Sequence, residues 1–170
     1  MPDPASVHRL LLDRGLTVAV AESLTGGLLS AALTMTAGSS ATFRGGLVVY
    51  STDLKTALAD VPQPLLDVQG PVSAAVASAL ARGARHRLDA DLGIGITGVA
   101  GPEPVGEHPV GTVFLAVAGD YVSEVTRADL AGSRTEIREA AVSAALGLLV
   151  TVVTAHREPG MPEGAADVTP

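Results

Sequence analysis

The chain has 170 residues, of which 47% are hydrophobic, 17% charged and 2% aromatic, with no cysteine and a formal net charge of −7. That length and apolar content suit one domain with a sizeable core. The negative charge and the scarcity of rings argue against a nucleic-acid binder, and the lack of cysteine excludes disulfides and is in keeping with a cytoplasmic location.

In chain order, the apolar spacing over residues 5–14 predicts a short amphipathic helix stopped by Gly15, and residues 17–21 form a compact β-run. Glu22-Ser23-Leu24-Thr25-Gly26-Gly27 breaks that run, and residues 28–36 read as a buried helix. Gly38-Ser39-Ser40 reads as a turn, residues 46–51 as a Val-rich strand, and residues 52–58 as a helix start with Thr52 as its cap and Lys55 in its first turn. Residues 73–88 form the clearest helix, capped by Ser73. Residues 91–97 are a strand of small residues, followed by a Gly/Pro loop over 98–109. Residues 110–118 and 121–129 predict a hairpin around Gly119-Asp120, and residues 133 to about 156 a long helix with a serine cap.

Strands separated by helices predict an α/β domain, a three-layer α/β/α sandwich with a mixed sheet covered on both faces. It spans residues 1–157, and the Pro-, Gly- and acid-rich residues 158–170 are predicted to be a disordered tail. No unbroken run of about 18 apolar residues predicts a membrane span. Residues 1–12 lack the basic start, apolar block and small cleavage site of a signal peptide.

Several residues carry candidate chemistry. Lys55 is the only lysine; a desolvated lysine can act as a base, which an arginine cannot. Ser40 and Tyr50 lie close to it in sequence, offering a nucleophile and a proton relay. Each also has an ordinary reading: Ser40 as a turn cap, Tyr50 as core or interface, Lys55 as a solvated helix residue.

The Glu22–Gly27 turn has the form of an anion-binding strand–helix junction, or simply of a capped turn. Gly93-Ile94-Gly95-Ile96-Thr97-Gly98 matches the dinucleotide pattern formally, but Gly93 and Gly95 fall inside the strand, where they admit close approach of another chain segment or a ligand. The loop that starts at Thr97-Gly98 and runs through Gly101 is the better ligand site. Arg134 and Arg138, one helical turn apart, read either as a phosphate clamp or as surface pairs with Glu136 or Glu139. The histidines His8, His86, His108 and His156 share no ligand spacing, so no metal site is expected.

Ala21-Glu22-Ser23-Leu24-Thr25-Gly26-Gly27, Gly38-Ser39-Ser40, Tyr50-Ser51, Gly70-Pro71-Val72-Ser73, Ile96-Thr97-Gly98-Val99-Ala100-Gly101-Pro102 and Pro109-Val110-Gly111-Thr112-Val113 occur in that order. Together they resemble the C-terminal domain of the CinA (competence/damage-inducible protein A) family, the nicotinamide mononucleotide deamidases, over about residues 5–155. The resemblance implies a stand-alone α/β/α domain, a homodimer or higher homo-oligomer, that hydrolyses the carboxamide of that nucleotide without a cofactor. It implies Ser40, Tyr50 and Lys55 as the catalytic set, with oxyanion donors near Ser40 or Gly45-Gly46. Glu22, Ser23, Thr25, Gly26, Gly27, Gly38, Ser39, Thr97, Gly98, Gly101, Arg134 and Arg138 would line the substrate site. Leu24 and His108 depart from the family pattern, which more often has cysteine and lysine there.

Overall fold

The computed structural model describes residues 3–155, so the tail expected over 158–170 and His156 lie outside the described residues. In chain order the elements are α1 (Pro4–Asp13), β1 (Val18–Glu22), α2 (Leu28–Thr34), a 3-10 turn (Ser39–Ala41), β2 (Phe43–Val48), α3 (Thr52–Ala59), α4 (Gln63–Gln69), α5 (Ala74–Arg87), β3 (Leu92–Gly98), β4 (Thr112–Ala118), β5 (Ser123–Asp129) and α6 (Arg134–Ala155). They form one five-stranded sheet in the order β2-β1-β3-β4-β5. The first three strands are parallel, and β4 and β5 run antiparallel to their neighbours.

Side-chain alternation along β3 sorts the two layers. Leu92, Ile94 and Ile96 join Val18, Val20, Leu115 and Val117 under α1, α2 and α6, where Val7, Leu11, Leu29, Ile137 and Leu149 complete the larger core. The opposite face meets α3, α4 and α5 through Ala19, Ala21, Leu66, Val76, Leu80 and Ala84. Here Gly93 and Gly95 lie inside β3 directly against α5: a Cβ on Gly93 would sit 1.9 Å from the Ala81 carbonyl oxygen, and one on Gly95 2.1 Å from that of Ala77. The paired glycines therefore let α5 rest its backbone on the sheet, as the sequence implies.

Local chemistry explains most boundaries. Ser73 caps α5, its hydroxyl accepting from the Val76 N–H at 3.2 Å. Ser133 and Glu136 form a reciprocal capping box at the start of α6: the Ser133 N–H donates to the Glu136 carboxylate at 2.7 Å and the Glu136 N–H to the Ser133 hydroxyl at 3.4 Å. Three features differ from expectation. β2 begins at Phe43 rather than Gly46, because Gly45 and Gly46 extend along β1 despite their turn-like composition. Ser51 rather than Thr52 occupies the cap position of α3. The short helix α4 carries Pro64 in its first turn, where the missing N–H leaves no intrahelical bond unmade.

The sequence offers no unbroken apolar run of about 18 residues, but one helix is long and apolar enough to cross a membrane. By length and composition it is α6, with a mean hydropathy of 1.6 over its best stretch. In this fold α6 lies along the sheet, burying Ile137, Ala141, Ala145, Leu146, Leu149, Val152 and Val153.

Candidate active site

Parallel strands expose their carboxyl ends on one edge, and in a sheet of order 2-1-3-4-5 ligands collect at that edge between the first and third strands. A cleft of about 260 Å³ opens there. Ser23, just past β1, Tyr50, just past β2, and Thr97 and Gly98, at the end of β3, all line it. Lys55 and Thr52 enter from α3, Pro71 and Val72 from the approach to α5, Gly101, Glu103 and Val105 from the loop after β3, and Arg134 from the start of α6.

Lys55 is the centre of the site. It is only 1% exposed although it is a cation on a surface helix. Its Nζ donates to the Ser23 hydroxyl at 3.1 Å and to the Val49 carbonyl at 2.7 Å. No ion pair among the described residues includes it. Burial drives its pKa down to about 8, with the Asp53 carboxylate on the same helix pulling weakly the other way. A neutral amine so placed can keep its bond to the Val49 carbonyl and turn its lone pair to the Ser23 hydroxyl. Ser23 is itself 8% exposed, its N–H held by the Ile96 carbonyl at 3.0 Å.

The structure does not bring Ser40 to this place. Ser40 lies in the turn before β2, exposed, and the adjoining Thr42 is tied to His8 by a 2.8 Å hydrogen bond between their side chains. That turn is at the opposite edge of the sheet. The 6 residues of β2 separate it from Tyr50 and Lys55, or about 20 Å at roughly 3.3 Å per residue. Gly38 and Ser39 share that turn and are likewise away from the cleft. The serine that faces Lys55 is Ser23. The sequence contains the signal, a serine at a strand-to-helix turn followed by glycines, but proximity along the chain and the family resemblance both point to Ser40.

The Glu22–Gly27 turn is corrected in part. Glu22 is fully buried, and its carboxylate accepts from the N–H groups of Gly27 at 3.0 Å, Leu29 at 3.1 Å and Ser30 at 2.8 Å, and from the Ser30 hydroxyl at 2.6 Å. It has no capacity left for a ligand and instead fixes α2 behind Ser23. Thr25, Gly26 and Gly27 also lie outside the cleft lining, as does Arg138. The two arginines of α6 therefore differ. The Arg138 guanidinium binds the Leu24 and Thr25 carbonyls at 3.0 and 2.8 Å. Arg134 reaches across the cleft mouth, donating to the Tyr50 hydroxyl at 2.9 Å and to the Gly101 carbonyl. The Thr97 hydroxyl donates to the Pro71 carbonyl at 2.6 Å, joining the end of β3 to the start of α5. His108 stacks edge-on against Phe114 and does not line the cleft. No group of three or more His, Asp or Glu side chains suited to a metal occurs among the described residues.

A family model described as the CinA C-terminal domain matches residues 3–153. The chain belongs to the CinA C-terminal domain family. A CinA-like protein of Frankia casuarinae is 46% identical over 140 residues, covering 82% of this chain and 32% of that protein. One of Geobacter sulfurreducens is 47% identical, covering 85% of this chain and 35% of that protein. The chain thus spans about a third of the length of the curated CinA relatives it matches. Among solved structures, the competence/damage inducible protein CihA from Agrobacterium tumefaciens superposes with a TM-score of 0.82 at 36% identity, covering 89% of this chain and 96% of that one. The competence damage-inducible protein A from Klebsiella pneumoniae gives 0.85 at 35%, covering 89% and 94%. The CinA fold, a mixed open sheet between helical layers, is the fold of this chain.

Proposed function

We propose that this domain is a serine amidohydrolase that converts nicotinamide mononucleotide and water to nicotinate mononucleotide and ammonia. The observation that carries the reading is the buried pair Ser23–Lys55, with Nζ 3.1 Å from the hydroxyl and, among the described residues, no ion pair to the amine. A hydroxyl needs a neighbour that takes its proton as it attacks, and a buried lysine of lowered pKa meets that need.

In this mechanism neutral Lys55 accepts the Ser23 proton as Oγ bonds to the carboxamide carbon. Collapse of the tetrahedral intermediate breaks the C–N bond, and the proton on Lys55 passes to the leaving ammonia. Water then attacks the ester, giving its proton to Lys55, and Ser23 recovers it when the acid leaves. Tyr50, 59% exposed at the mouth, and Arg134, bonded to its hydroxyl, face the part of the substrate that lies outside the cleft. A guanidinium there suits the 5′-phosphate, which fork-like donors bind well.

Chromatography of the products tests the reading. The wild-type domain is expected to form nicotinate mononucleotide, and Arg134→Ala to raise KM for the nucleotide about 10-fold or more with a smaller change in kcat, because a remote phosphate is bound alike in ground and transition states. Nicotinamide riboside, which has no phosphate, is expected to be hydrolysed equally by both proteins. Equal losses on nucleotide and riboside would take the phosphate away from Arg134. Absence of product with the wild type would refute the amidase reading.

A further inference from the structure

From Ser23 to Ser30 the chain presents eight successive amide N–H groups, and six of them have an acceptor. Ser23 donates to the Ile96 carbonyl, Gly26 to that of Ser23 at 3.1 Å and Leu28 to that of Thr25 at 3.3 Å. Gly27, Leu29 and Ser30 donate to the Glu22 carboxylate. No acceptor among the described residues takes the N–H groups of Leu24 and Thr25, although both residues are buried. Buried amides without partners are rare in folded proteins, and these two directly follow the serine beside Lys55.

Their orientation has a visible cause. The Ser23 carbonyl is engaged inside the turn by the Gly26 N–H, so the Leu24 N–H of the same planar trans peptide points out of the turn. The Leu24 carbonyl is drawn to the Arg138 Nε at 3.0 Å, so the Thr25 N–H points away from Arg138. The same guanidinium holds the Thr25 carbonyl through Nη2 at 2.8 Å. One rigid fork from α6 thus fixes two consecutive peptides. Ser23 and Leu24 belong to the cleft lining and the Thr25 N–H follows one peptide beyond it, whereas Arg138 does not touch the cleft.

The geometry points to the Leu24 and Thr25 N–H groups as the oxyanion donors for Ser23, the first aimed by the Gly26 N–H on the Ser23 carbonyl and the second by Arg138, a positioning residue. As Oγ bonds to the carboxamide carbon, the carbonyl electron pair moves onto oxygen, and the two amides meet that charge. When the C–N bond breaks the pair returns and the donors are released. Arg138 touches no reacting atom. It locks the plane of the Leu24–Thr25 peptide, and its charge on the Leu24 carbonyl strengthens the Thr25 N–H as a donor. This inference rests on the Ser23–Lys55 reading and replaces the neighbourhood of Ser40 and Gly45-Gly46 as the source of these donors.

The test compares ammonia release from nicotinamide mononucleotide by the wild type, Arg138→Lys and Arg138→Ala. Lysine keeps the charge but cannot bond both carbonyls in a fixed plane. Because outright removal of a donor costs about 10²- to 10³-fold, misaiming is expected to lower kcat about 10- to 100-fold in both variants. KM stays within about 3-fold, and the rise of activity through the Lys55 pKa is unmoved. Added guanidinium at millimolar concentration is expected to restore part of kcat to Arg138→Ala but not to Arg138→Lys, a response that a merely structural arginine would not give. If Arg138→Ala does not fold, the kcat, KM and pH profile of Arg138→Lys decide. Wild-type kcat in Arg138→Lys, or a raised KM with kcat unchanged, overturns the positioning role. A wild type that releases no ammonia overturns the Ser23–Lys55 reading beneath it instead.

Discussion

Lys55 is a titratable cation almost wholly withdrawn from solvent at the floor of a cleft, and both its chemistry and its cost follow. Its pKa of about 8 means that activity dependent on the neutral amine is expected to rise through pH 8 and level off above it. Stability has its own sign. The folded value lies below the 10.5 of the unfolded chain, so between about pH 8 and 10.5 the unfolded state binds the extra proton and stability rises with pH; below pH 8 the full cost of burying the cation is present. Since the chain has no other lysine, the difference in melting temperature between wild type and Lys55→Met over that window isolates this group, and a pH-independent difference would contradict the burial argument. Lys55→Arg is expected to be as inactive as Lys55→Ala, because arginine retains its proton. Turnover by the arginine variant within a few-fold of wild type would exclude Lys55 as the base.

Two elements hold the site in place, the Glu22-anchored turn and the α5–β3 contact. Glu22 accepts four hydrogen bonds from α2 and the turn before it. Glu22→Gln exchanges a charged acceptor for a donor facing N–H groups, and on the scale of about 1.5–3 kcal/mol for a hydrogen bond to a charged group it is expected to destabilise the domain by roughly 2 kcal/mol in urea. Its kcat is expected to fall as well, since Ser23 is the next residue. Unchanged stability would mean that this cap is dispensable. Gly95 sets the distance between α5 and β3, and a Cβ there would stand 2.1 Å from the Ala77 carbonyl oxygen. Gly95→Ala is expected to cost about 1–3 kcal/mol, the usual range for overpacking, because the obstacle is backbone that cannot rotate away. A midpoint equal to wild type would show that α5 shifts freely.

At the scale of the whole molecule, the sheet order decides which motifs meet. Much of this was legible in the sequence. Gly93 and Gly95 announced a close approach to the sheet, Ser73 and Ser133 announced helix starts, and Lys55, Tyr50, Thr97, Gly98, Gly101 and Arg134 do share one cleft. The choice of serine was not legible, because Ser23 and Ser40 lie at the two ends of the α2 crossover between β1 and β2, and only the parallel pairing of those strands puts the first beside Lys55 and the second at the far edge. Nor could spacing separate Arg134 from Arg138, which lie one turn apart on α6 yet serve different walls of the site. The central claim is that Ser23, facing Lys55 across the carboxyl edge of the sheet, is the nucleophile of an amide hydrolysis. Ammonia release from nicotinamide mononucleotide, measured side by side for the wild type, Ser23→Ala and Ser40→Ala, tests it most directly. The account predicts release by the wild type and by Ser40→Ala at comparable rates and none above background by Ser23→Ala; an active Ser23→Ala, or a silent but folded Ser40→Ala, would contradict it.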